Sequence, residues 1–169
     1  MKKNSNLSRG VSLWIAALII LVAICLFVAS YRHYINVSFA LGPFGFSHWL
    51  ALVGTTFIIL YTPIYYIWKH RNPKLFLPLR RVHVFGNLIS VALISVHFDG
   101  QISRPPQAYP PLGTGIVLYA VILLLVVTGF VQRFQIVKNL RYWRFCHVGA
   151  VIIFYLVIVV HILHGLKVI

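Results

Sequence analysis

The chain has 169 residues, 60% of them apolar and only 9% charged, with a mean hydropathy of +0.90. A soluble domain carries charge on roughly a quarter of its residues and a disordered chain is polar, so both classes are excluded and the solvent of this protein is lipid. The formal charge of +14 comes with one acid, Asp99, and no Glu, which excludes paired-carboxylate hydrolysis and carboxylate-rich metal cages.

Nucleic acid is not the expected partner of that charge, because the basic residues sit between long apolar runs and not on an amphipathic face. No GxxxxGK or GxGxxG loop is present to cradle phosphates. Five stretches are long and apolar enough to cross a bilayer, or nearly so. They predict an all-α membrane protein, since lipid offers the backbone no hydrogen-bond partner. The alternating ten-residue strands of a membrane barrel are missing.

Span one, residues 11–30, follows Lys2, Lys3 and Arg9. Its apolar core exceeds the 7–15 residues of a signal peptide, so a retained anchor is expected. Gly-Pro-Phe-Gly-Phe at 42–46 reads as a stiff connector, with a lid or docking surface as the functional alternative. Span two, 48–68, leads into a basic loop holding Lys69, Arg71, Lys74, Arg80 and Arg81. Span three, 82–98, is short, at 17 residues, and carries His83 and His97. The Pro-rich stretch 104–113 is again expected to be extended connector. Span four covers 113–131, and the loop after it holds Arg133, Lys138, Arg141 and Arg144. Span five, 145–163, carries His147 and His161. Cys25 and Cys146 fall at different depths, which excludes a disulfide between them.

Twelve basic residues fall in the tail and the two even-to-odd loops, and three, Arg32, Arg104 and Lys167, on the other side. By the positive-inside rule this is a multi-pass protein of the cell membrane, N-terminus cytoplasmic and C-terminus outside.

Histidine is the residue that invites chemistry. Ionisable groups inside a membrane are costly, yet His83 and His97 are 14 apart in span three, and His147 and His161 are 14 apart in span five. Random placement of eight histidines would give less than one such pair. Fourteen residues rise about 21 Å and rotate about 1400°, close to four full turns, so each pair faces one way with one imidazole in each leaflet. Spans three and five run parallel by parity. His83 then shares the inner depth with His147, and His97 the outer depth with His161. Two facing imidazoles at one depth can clamp a haem iron from both sides. Zinc or copper would want ligands converging on one point, and a proton relay would recruit acids. Buried histidines satisfied by backbone, in a haem-free transporter or scaffold, remain the structural alternative.

These residues resemble the ferric reductase-like transmembrane domain, within the wider class of di-haem membrane cytochromes b. The resemblance rests on Arg80-Arg81-Val82-His83 through His97, on Thr128-Gly129-Phe130, and on Leu140-Arg141-Tyr142-Trp143-Arg144-Phe145-Cys146-His147, and covers about residues 47–165. It implies a five-helix bundle with two b haems between spans three and five, ligated by His83, His147, His97 and His161. The reductases continue into a flavin and nicotinamide domain. The sequence ends at Ile169 without one, so electrons are expected from a redox partner subunit or from a quinol in the bilayer. The alternative is a quinol-oxidising or quinone-reducing anchor subunit of a larger complex.

Further candidates surround the four ligands. Arg80, Arg81, Arg141 and Arg144 flank the inner pair and suit haem propionates. Topology alone also explains them. Gly86 and Gly149 either admit a flat macrocycle or let helices approach. His164, one turn past His161, either bonds an outer haem propionate or a quinone or sits in the headgroup region; it is the rival to His161 as ligand, and the spacing of 14 favours His161. His33, His48 and His70 read as interface residues. Asp99 either pairs with Arg104 or accepts a quinol proton.

Overall fold

The computed structural model describes residues 3–37, 39–103 and 113–166, the side chains of 3–9 excepted. Five long helices dominate: α1 (Lys3–Tyr31), α2 (Phe46–Arg71), α3 (Phe76–Ile102), α4 (Gly113–Phe134) and α5 (Leu140–Gly165). Each is long and apolar enough to cross a membrane. The chain divides into two compact units, Met1–Pro105 and Pro106–Ile169. The stretch 104–112, with Arg104, and Lys167 lie outside the described residues.

In the first unit α3 is the centre, packed against both α1 and α2. Its buried positions, among them Leu88, Ala92, Ile94, Ser95 and Val96, wrap most of the helix. Small residues allow the approach, as expected where lipid gives helices no hydrophobic reason to associate. Gly54 of α2 shows how close it is, since a Cβ there would stand 2.7 Å from the Ser90 carbonyl. α1 presents Ser12, Ala16 and Ser30 as its buried residues. Ser30 Oγ donates to Asp99 Oδ2, and Ser103 Oγ donates to Asp99 Oδ1 at 3.1 Å. The chain's one acid is thereby 1% exposed and bonded to the hydroxyls of Ser30 in α1 and of Ser103, the residue that follows α3.

The connector at 42–46 is a small hairpin, β1 (Ala40–Leu41) against β2 (Phe44–Gly45). Gly42, at φ 65°, supplies the positive φ that so short a turn needs. Trp49 Nε1 donates to the Leu41 carbonyl at 2.8 Å, tying the hairpin to α2.

The second unit is an antiparallel pair. Leu118, Ile122, Thr128 and Phe134 of α4 and Ala150, Phe154 and Ile158 of α5 are its buried residues. The spacing of four places the α5 set on one helical face. Asn139 caps α5, its side chain accepting from the Tyr142 N–H at 3.5 Å.

Every helix outruns its apolar core. Span three, expected at 17 residues, becomes a 27-residue helix that takes in Arg80 and Arg81. Span five begins at Leu140 and takes in Arg141 and Arg144. α2 ends on Lys69, His70 and Arg71, where the helix dipole favours cations. The physical reason is common to all three: long cationic side chains reach the interface while their backbone stays helical.

Candidate functional site

The second unit builds its histidines from the neighbouring helix. His147 Nδ1 stands 2.9 Å from Thr128 Oγ1, and His161 Nδ1 stands 3.2 Å from Thr114 Oγ1. A glycine follows each threonine. A Cβ on Gly129 would meet His147 Cε1 at 3.2 Å, and one on Gly115 would meet His161 Cε1 at 3.4 Å. Thr114-Gly115 and Thr128-Gly129 are themselves 14 apart in α4, so the antiparallel pair brings two like sites together, one near each end. Thr128 Oγ1 also donates to the Leu124 carbonyl at 2.7 Å, a bond common for threonine inside a helix. Gln132 Nε2 donates to the Trp143 carbonyl at 3.1 Å, holding the helices together one turn beyond His147.

The first unit supports its histidines with rings. Tyr65 of α2 stacks on His83, with centroids 4.4 Å apart and planes 13° from parallel. Asn87, one turn along α3, brings its amide 3.3 Å from His83 Nδ1. His48 of α2 meets His97 edge-on at 4.7 Å. The sequence reads His48 as an interface residue and gives Tyr65 no part, and no spacing in α2 announces either contact.

The remaining candidates separate. Arg80 is half-buried, its guanidinium 5.0 Å over the Phe76 ring and its Nε enclosed without a hydrogen-bond partner. Arg81, Arg141 and Arg144 are exposed. Gly86 is a helix contact, because the Phe57 ring already lies where its Cβ would be, at 2.2 Å. Gly149 is open, with no heavy atom within 4 Å of that position. His164 is half-buried, and His70 meets Tyr66 edge-on at 5.2 Å.

A polar cavity of about 610 Å³ opens in the first unit where α1 ends and α2 begins. Ser30, His33, Asn36, Ser47, His48 and Asp99 line it. His48 therefore borders the cavity on one side and His97 on the other.

Among the described residues no three His, Cys, Asp or Glu side chains form a group able to hold a metal ion. A bis-imidazole site needs only two. No family model, curated protein or solved structure matches the chain.

Proposed function

We propose that the protein is a five-helix di-haem membrane cytochrome b, an electron carrier across the cell membrane with its N-terminus in the cytoplasm. The reading places one haem b on His83 and His147 and a second on His97 and His161. It also takes up the resemblance to the ferric reductase-like domain. The observation that carries it is the repeated Thr-Gly dipeptide of α4 against the repeated histidine of α5. A histidine engaged at Nδ1 keeps Nε2 for a metal, the usual arrangement of a ligating imidazole. Two such sites 14 residues apart in one helix pair suit two cofactors stacked along the membrane normal.

Other residues fit the same group. Arg80 Nε is buried without a partner, and a guanidinium in that state suits a propionate. Tyr65 fixes the plane of the His83 ring. Gly149 leaves a face of α5 open near His147. A haem held by two of these imidazoles would supply one-electron transfer. The chain's own task is then to orient the rings, anchor the propionates and exclude water. The electrons come from a partner subunit or a quinol and leave to an acceptor on the other side.

Purified protein from haem-replete cells should give about two haem b per polypeptide by pyridine haemochrome assay, bound non-covalently because no CxxCH is present. A value near zero overturns the reading.

The Asp99 cavity favours a second reading, a quinol-oxidising or quinone-reducing anchor subunit with the same haems. Its hydroxyls, imidazoles and single carboxyl are groups that hydrogen-bond a quinone's oxygens. A quinone analogue should then shift the potential of one haem, and Asp99→Asn should weaken that shift. No shift leaves the first reading alone.

A further inference from the structure

The Thr128 hydroxyl has one proton and three neighbours, the carbonyls of Leu124 and Leu125 and the His147 ring. At 2.7 Å the Leu124 carbonyl can only accept. At 2.9 Å His147 Nδ1 can donate or accept, according to tautomer. With the proton committed to the carbonyl, Thr128 Oγ1 has only its lone pairs left for the ring. Nδ1 must then carry a hydrogen. A doubly protonated ring would need a counter-charge, and neither α4 nor α5 carries an acid. The ring is therefore neutral, with Nδ1–H toward α4 and the lone pair on Nε2.

We propose that Thr128 is a positioning residue which sets the tautomer of His147, making Nε2 its metal-binding nitrogen. Gly129 completes the unit by letting the imidazole edge lie against the α4 backbone. Thr128 is fully buried inside α4 and held at both ends. The consequence for iron ligation rests on the di-haem reading, whereas the tautomer assignment does not.

The test uses the full chain in lipid bilayers with nitrogen-15-labelled histidine, compared with Thr128→Val and Thr128→Ser. In haem-free wild type, His147 should show a protonated, pyrrole-type Nδ1 and a bare, pyridine-type Nε2. Thr128→Val should mix the tautomers, and Thr128→Ser should restore the wild-type pattern. In haem-loaded protein, Thr128→Val should shift the potential of one redox component and leave the other in place, with Thr128→Ser again restoring it. A bare Nδ1 on His147 in wild type overturns the proposal, even should the valine variant fail to fold. So does a valine variant matching wild type in both readouts. Protein that binds no haem yet shows the stated tautomer overturns the cytochrome reading alone.

Discussion

In α4–α5 each histidine of the 14-residue pair is met by a hydroxyl and a glycine of the neighbouring helix. In α2–α3 the corresponding histidines are met by rings, Tyr65 on His83 at 4.4 Å and His48 on His97 at 4.7 Å. The difference is chemical. Thr128, its proton on a carbonyl, leaves Nδ1 of His147 to carry the hydrogen. A stacked or edge-on ring fixes the imidazole plane, and at His83 the group beside Nδ1 is the Asn87 amide of its own helix. In one unit the neighbouring helix meets a ring nitrogen, and in the other it meets the ring face or edge.

The most drastic way to break this comparison is to remove the imidazoles. His83→Ala and His147→Ala should each cost the same one of two haems, and His97→Ala and His161→Ala the other, followed by potentiometric titration. Were His83→Ala and His161→Ala to abolish one common component, the pairing across the two helices would be wrong.

Glycine substitutions separate the two units by the kind of neighbour each would strike. Gly54→Ala meets the Ser90 backbone at 2.7 Å, which cannot yield without parting α2 from α3. A loss of about 1–3 kcal/mol is expected, as for other overpacked cores, measured by reversible unfolding in mixed micelles. Gly129→Ala meets a ring carbon at 3.2 Å, and a ring can give by a few tenths of an ångström. It should cost under about 1 kcal/mol and move the His147 haem spectrum instead. Equal losses would show that ring and backbone are equally rigid there.

A loss of comparable size belongs to the stack in α2–α3. Tyr65→Leu should lose about 0.5–1.5 kcal/mol of aromatic contact and broaden the His83 haem signal in electron paramagnetic resonance. Tyr65→Phe should retain both, because the ring face and not the hydroxyl meets His83. A Phe variant as perturbed as Leu would move the role to the hydroxyl.

The five helices and the histidine spacing were legible in the sequence because lipid leaves so little choice of backbone. Helix ends were not. Arg80, Arg81, Arg141 and Arg144 read as loop by hydropathy, yet a charged first turn can be helical while its side chains reach water. The Thr-Gly repeat of α4 was equally visible, at the same interval as the histidines. It acquires meaning only when the antiparallel register sets Thr128 beside His147 and Thr114 beside His161. Gly86 admitted two readings from sequence, and the Phe57 ring decides for helix contact. Tyr65 and His48 carry no periodic mark at all, since a ring contact between helices depends on their rotation and not on spacing along either one.

Because Asp99 is the sole acid and lies enclosed, no exposed side chain of this protein is negative. The fifteen lysines and arginines must find their counter-ions outside the polypeptide. In a bilayer the nearest anions are lipid phosphates and acidic headgroups, each drawn in by about 1 kcal/mol per basic residue at the surface. A collar of anionic lipid is therefore as much a part of the protein's electrostatic environment as its own residues. Stripping that collar with a zwitterionic detergent would change the field felt by every charge moving through the chain.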